Sequence, residues 1–579
     1  MQRLSPEEDL QQQDLGQKRH RFQANIEPTA DTKHTPEKGG SFPASVGRWW
    51  WALAAAVVAP WWNLPIDNAD GAGMLAHLQG FFVDLDLLYD DEYAALRMSP
   101  LFAFVTSQGV ISNHWPTGAT WIQAPGFGLG AIVGEILRVL ELPGGNAPWT
   151  IRLLGLHTWA MTLLVWLARE LARWVGGREG VLYAACFVVG TPLLYYASEA
   201  PARPHLYGAC VVFLVVRLWQ GERWAGALGR TAILGLLVGL AASIRPQLAT
   251  LGLLVVHDVW TRSPAPERRR RLAIGVAACA AWPLTNLALQ WWMYGEDLAH
   301  YFGGGVSHHL GHFLLSHYHG VLWWTPLVFV GLAGLGLGVA RRRSGAWLLL
   351  ALVLAQLWTD SGYRPIEPGH VLGTRTWAGG TSFGPRKLVD VLPLLLPGLL
   401  WLRDEAAARG DAWRRGLAGV VVASSLPVAW LHLSLWLDPS GAERVLDGAD
   451  YWALFAVPFD GQRWSIALGQ RSLAASVSVA LAIGVGAPAV LGGAWAWRRL
   501  RVASVRVVAG LILGGCLFAH LWLAVLQART DAELAEDPER STELARALNP
   551  VHAATVARTA AHRQRLRGRL GDDAAPGPE

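Results

Sequence analysis

Seven carboxylates, Asp67, Asp70, Asp84, Asp86, Asp90, Asp91 and Glu92, fall between Ile66 and Tyr93, while no lysine or arginine occurs between Arg48 and Arg97. A carboxylate can deprotonate a hydroxyl, or hold a hard divalent cation through its oxygens. Asp67 and Asp70 are the candidates for such chemistry, because they directly follow the first strongly apolar run, "WWWALAAAVVAPWWNLP", and would be held at a membrane boundary. The plain alternative for Asp70 is an Asx turn before "GAG". Asp84 to Glu92 read instead as acids that shape or solvate the loop, or cap a short helix.

Further along, Glu199 ends an apolar run and precedes "APARPH", where it is either an acid that positions a substrate or metal, or an ordinary interfacial carboxylate. His205 closes that motif and could bind a cation or a phosphate. Arg245, in "SIRPQ", sits between two apolar halves, where an uncompensated charge is costly and pairing is favoured, unless the side chain snorkels to headgroups. Arg386 and Lys387, in "GGTSFGPRKLV", place two cations beside the next apolar run. Arginine grips a phosphate through a fork of donors. Acids that can act on a hydroxyl, combined with cations that can bind phosphate, suit transfer of a group from a phosphorylated carrier.

Two other clusters are less telling. His300, His308, His309, His312, His317 and His319 crowd one stretch, and His308 and His312 have helical four-residue spacing. A metal site is conceivable there, but no HExxH arrangement accompanies the spacing, and an interfacial loop of aromatic and histidine residues is the simpler reading. Cys186, Cys210, Cys279 and Cys516 each lie in an apolar run without zinc-site spacing. They read as small buried hydrophobes, with no disulfide framework.

The elements that position these residues follow from hydropathy. The chain is 52% hydrophobic and only 16% charged, too apolar for an ordinary soluble protein of 579 residues. Its formal charge of +5 sits mostly between apolar runs and in the tails, so it reads as topology information and argues against a nucleic-acid partner. Apolar runs predict spans near 49–64, 151–166, 180–197, 206–219, a hairpin over 230–260 with Arg245 and Pro246 at its tip, and further spans near 272–292, 321–339, 345–358, 388–402, 416–436, 473–495 and 506–526. That is about thirteen spans. Residues 118–140, which carry Pro125, several glycines, Glu135 and Arg138, are expected to lie along the interface or dip into the membrane, because only then do the arginines of "ARELARWVGGRE" fall inside. The expected organisation is a polar cytoplasmic tail over 1–48, a membrane catalytic core over 49–400 with a first outer loop at 67–150, C-terminal membrane helices and loops over 401–526, and a polar tail over 527–579 on either side.

In this order the features resemble the GT-C-fold glycosyltransferases that use polyprenyl-phosphate sugars, especially bacterial protein mannosyltransferase-like membrane proteins. "ADGAGMLAHLQGFFVDLDL" looks like the family's first-loop aspartate and short helix, with Asp70 at the acidic position, and Asp84 and Asp86 look like its acidic turn. "NHWPTGATWIQAPGF", "YYASEAPARPH" and "SIRPQ" look like later family segments. The resemblance implies an all-α polytopic membrane protein, a GT-C-like bundle with extracytoplasmic juxtamembrane helices, in a bacterial inner or plasma membrane. It implies an inverting transferase that moves a sugar from a polyprenyl-phosphate carrier to an extracytoplasmic glycan or lipid hydroxyl, among membrane lipids. Asp70, with Asp67 in reserve, would be the base; Glu199 would organise the acceptor; Arg245, Arg386 and Lys387 would bind the donor phosphate; and a divalent metal ion would sit on Asp70, Glu199 or His205. A flippase or transporter of lipid-linked saccharides, with no transferase activity, is the alternative.

Overall fold

The computed structural model describes residues 69–96, 105–142 except 107, 148–295 except 223, 225 and 226, 307–363, 383–438, 448–463 and 504–536. The chain divides into two units, Met1–Trp49 and Trp50–Glu579, and every described residue belongs to the second. Asp67 and the expected spans at 49–64 and 473–495 lie outside the described residues.

Helices dominate. In chain order they are α1 (Ala69–Gln79), α2 (Asp90–Ala95), α3 (Gly118–Val139), α4 (Pro148–Val175), α5 (Gly177–Val189), α6 (Leu193–Ser198), α7 (His205–Gln220), α8 (Leu228–Ile244), α9 (Gly252–Arg262), α10 (Arg268–Tyr294), α11 (Leu310–Leu315), α12 (Val321–Trp324), α13 (Leu327–Ala340), α14 (Ala346–Asp360), α15 (Leu396–Arg409), α16 (Asp411–Leu437), α17 (Gly448–Ala456) and α18 (Val505–Glu536). Two short strands, β1 (Ser307–His308) and β2 (Gly362–Tyr363), pair antiparallel with Ser307 opposite Tyr363.

Among the described residues four helices are long and apolar enough to cross a membrane: Pro148–Val175, Ala265–Tyr294, Asp411–Leu437 and Val505–Glu533. This corrects the expectation of a GT-C-like bundle with about thirteen transmembrane helices, and with it the family resemblance on which that fold rested. The reason is length. Expected spans at 206–219, 321–339 and 345–358 fall on helices of 16, 14 and 15 residues. At 1.5 Å per residue these reach only about 21–24 Å, short of a hydrocarbon core about 30 Å thick. The expected hairpin over 230–260 does turn at Arg245 and a 3-10 turn at Pro246–Leu251, but its arms are helices of only 17 and 11 residues. The four long helices are nevertheless consistent with a membrane-embedded protein. Only 17% of the apolar window in Val505–Glu533 is buried, and Leu511, Leu517, Leu521 and Val525 lie on its outer surface. Such an apolar exterior is consistent with a helix that faces lipid.

Several of the remaining helices pack against these. Within the stretch expected at the interface, Gly118–Val139 forms the continuous helix α3 despite Pro125, seated on α4, and it is not among the four. The contact needs bare backbone, because a Cβ on Gly130 would lie 2.6 Å from the Ile151 carbonyl oxygen. In the same way α8 meets α10 through Gly235 and Gly239, where a Cβ would come within 2.6 Å of the Gly275 oxygen and 2.5 Å of the Cys279 oxygen. Small residues four apart let helix backbones approach where the solvent offers no hydrophobic drive. The α8–α9 hairpin is pinned by a buried ion pair, Arg230 Nη2 to Asp258 Oδ1 at 3.0 Å.

Candidate functional site

Pro385 and Pro393 shape the segment that builds the site. Gly384 turns the chain with φ +63°, and Arg386 N–H donates to the Gly384 carbonyl at 2.8 Å. Arg386–Leu395 then runs as a 3-10 helix, whose tighter turn suits a stretch where Pro393 has no N–H to donate. This helix packs along α7 and carries Arg386, Lys387 and Asp390. Asp390 is fully buried, and it sits against Gly208 so closely that a Cβ there would overlap its Oδ1.

Arg245, at the break between α8 and the following 3-10 turn, reaches this segment. Its Nη1 donates to Asp390 Oδ2 at 2.6 Å and to the Lys387 carbonyl at 2.7 Å, while Nη2 lies 3.9 Å from Asp360 Oδ1. His205 Nδ1, on the first residue of α7, lies 3.3 Å from the same Asp390 oxygen. Lys387 Nζ donates to the carbonyls of Asp360 and Gly362 at 3.3 and 3.1 Å. Burial, followed by the nearby guanidiniums of Arg245 and Arg386, pulls the Lys387 ammonium below its ordinary range against the opposing pull of Asp360.

Asp70 enters from the first turn of α1. Its Oδ2 pairs with Arg386 Nη1, and its Oδ1 accepts from Trp115 Nε1 at 3.1 Å. The two charged side chains are 27% and 20% exposed, so the pair sits at the mouth of the site and not in its floor. Burial pushes the Asp70 carboxyl up, but Arg386, Arg203, the Trp115 N–H and His205 together outweigh it and hold the group well below the usual carboxylate range. His319 completes this region. It is fully buried, neither ring nitrogen makes a hydrogen bond, and burial followed by Arg386 and Arg203 pulls its imidazole down to about 3. A neutral imidazole therefore stands beside two guanidiniums.

No family model matches this chain, and no curated protein or solved structure shows significant similarity to it. Asp70, Arg386, Lys387, Arg245 and His205, five candidates spread over more than three hundred residues, are brought into one connected network. Glu199 is buried at the end of α6. Asp67 lies outside the described residues.

Four participants escaped the sequence reading. Asp360 and Asp390 each interrupt or end an apolar run, "AWLLLALVLAQLWTD" and "LVDVLPLLLP", and an acid in such a run is itself a signal of pairing. Trp115 and Arg203 carried no sequence signal beyond their types, because only the fold brings them to Asp70.

A set of groups that could hold a divalent metal exists, but it lies elsewhere. Asp84, Asp91 and Glu92 offer ligand oxygens all within 4.8 Å of one another. Among the described residues Asp70, Glu199 and His205 form no such group; Asp70 has Arg386 as its counter-charge, and His205 faces Asp390. The sequence expects the acids from Asp84 to Glu92 to shape or solvate the loop or to cap a short helix; Asp90, Asp91 and Glu92 do open α2, but Glu92 is buried.

Proposed function

We propose that this protein is a membrane enzyme that moves a sugar from a polyprenyl-phosphate carrier to a hydroxyl on an extracytoplasmic glycan or lipid. The observation that carries the reading is the Asp70–Arg386 pair: a carboxylate able to take a proton touches a guanidinium able to take a phosphate, at the partly open edge of a network holding further cations. Paired to Arg386, Asp70 is a poor base. A donor phosphate that draws Arg386 into a bidentate grip would free Asp70, and burial would then raise its proton affinity as the acceptor hydroxyl arrives. Asp70 would accept the hydroxyl proton while the acceptor oxygen bonds to the anomeric carbon. The bond from that carbon to the phosphate oxygen breaks, and in-line displacement inverts the anomeric configuration. Arg386, with Lys387, would stabilise the departing lipid phosphate.

Arg245 takes a different part from the one its sequence suggested. Its Nη1 is committed to Asp390 and the Lys387 carbonyl, so it positions the Arg386–Lys387 segment from behind. Glu199 remains a candidate for orienting the acceptor.

The test is incubation of purified protein with defined polyprenyl-phosphate sugars and candidate hydroxyl acceptors, with products resolved by mass spectrometry. Removing a positioned base typically costs about 100-fold or more in rate, so Asp70→Asn is expected to lose transfer by that factor, with Arg386→Ala losing both donor affinity and rate. Wild-type transfer by a folded Asp70→Asn protein would end the base assignment. Movement of labelled lipid-linked sugar between leaflets with no transfer product would replace the enzyme by a transporter.

A further inference from the structure

The chain does not continue α1 straight into α2. A π turn over Gly80–Asp84 and a left-handed Leu85, at φ +61°, double it back so that Asp84 faces the first turn of α2 and its Asp91 and Glu92. The Asp86 N–H donates to the Gly80 carbonyl at 3.0 Å and closes the loop. Gly80 is needed for the approach, since a Cβ there would lie 2.8 Å from the Asp86 oxygen and 3.4 Å from Glu92 Oε1.

The three acids are gathered without a cation in direct contact. Glu92 is 1% exposed, and neither of its carboxylate oxygens makes a hydrogen bond. Asp84 Oδ2 is buried in the same state. Asp84 Oδ1 accepts from Gln79 Nε2 at 3.0 Å, and Gln79 Oε1 in turn accepts from Arg152 Nη1 at 2.7 Å, so the neutral amide holds the nearest guanidinium one side chain away. Asp91 is exposed and opens the cluster to solvent. A carboxylate so buried, with no donor to either oxygen, calls for a positive charge, either a proton or an ion.

We propose that Asp84, Asp91 and Glu92 bind a single Ca²⁺ ion that clasps the end of α1 to α2. The donors are all hard carboxylate oxygens, which select calcium, magnesium or manganese over zinc or copper. Coordination habit decides among these: calcium takes about six to eight oxygens in a flexible shell, whereas magnesium demands near-ideal octahedral geometry and keeps several of its waters. Three carboxylates whose ligand oxygens lie within 4.8 Å of one another, on a π turn and the first turn of a helix, suit the more adaptable ion. The open side at Asp91 leaves room for the waters that complete a calcium shell. Because Asp70 lies in the first turn of α1 and Asp84 follows its end, the ion braces the element that carries Asp70 without touching it.

The experiment uses the full chain in detergent, stripped with chelator, and measures calcium binding by titration calorimetry and the thermal midpoint by tryptophan fluorescence. One Ca²⁺ per chain is expected, with a midpoint several degrees higher under saturating calcium and a smaller shift with magnesium at equal concentration. Asp91→Ala is expected to weaken binding by at least about tenfold, since loss of even a supporting partner costs that much at metal sites. Glu92→Gln should abolish it. No calcium binding or midpoint shift in the wild type would overturn the proposal in favour of a proton shared among the acids. Wild-type affinity in the Asp91→Ala protein would overturn it too, and because Asp91 is exposed, that variant is informative even where Glu92→Gln fails to fold.

Discussion

The buried pair between Arg245 and Asp390 makes a quantitative prediction. Asp390 is fully buried and Arg245 is 13% exposed, so neither charge has water to fall back on. Breaking such a pair by removing one partner costs roughly 3–5 kcal/mol, because the other charge is left uncompensated. Arg245 keeps the Lys387 carbonyl at 2.7 Å and Asp360 at 3.9 Å when Asp390 is lost. The Asp390→Asn variant should therefore sit at the low end, about 3 kcal/mol, and Arg245→Met, which strands Asp390 with only His205 nearby, slightly above it. The Arg245→Met/Asp390→Asn double variant removes both charges. It should cost at least about 2 kcal/mol less than the sum of the single changes, the signature of direct coupling. Unfolding in mixed micelles with increasing denaturing detergent, followed by tryptophan fluorescence, measures all four proteins. Single costs that simply add to within about 0.5 kcal/mol would refute the claim that this pair holds the Arg386–Lys387 segment.

Three further predictions follow from other parts of the structure. His77 is buried between the Tyr89 hydroxyl and the Trp115 carbonyl, each at 2.9 Å, and burial pulls it down to about 4. The unfolded chain then binds more protons below its ordinary 6.5, so stability present at neutral pH should fall as pH drops from about 6.5 to about 4, by roughly 3 kcal/mol from this group; thermal midpoints across that range should lose part of their slope in His77→Gln. Gly208→Ala places a methyl group into Asp390 Oδ1 and should cost about 1–3 kcal/mol while displacing Arg245, read as a lowered thermal midpoint and reduced transfer. Gly130→Leu should separate α3 from α4 and lower the midpoint further than Gly128→Leu, where a Cβ meets open space.

Hydropathy and residue type carried much of this protein into view. The sequence by itself determined that long apolar helices would be present, since the "VRVVAGLILGGCLFAHLWLAVLQA" type of run has nowhere else to go. It also nominated Asp70, Arg245, Arg386 and Lys387, because charge beside apolar surface demands a partner. It overcounted the membrane crossings, because an apolar run reports burial without saying whether lipid or protein does the burying. His205–Gln220, for example, is buried by neighbouring helices along most of its length.

What only the tertiary structure decided is which charge answers which. Asp70 and Arg386 are 316 residues apart, and Arg245 and Asp390 are 145 apart. No local periodicity encodes such pairings; they arise when a 3-10 segment set by Pro385 and Pro393 is laid against α7 at Gly208. The same holds for Glu92, whose type and setting in "YDDEY" suggest a solvated acid. It is buried because Leu85 turns left-handed and Gly80 leaves room, and that backbone path is settled by the packing around it.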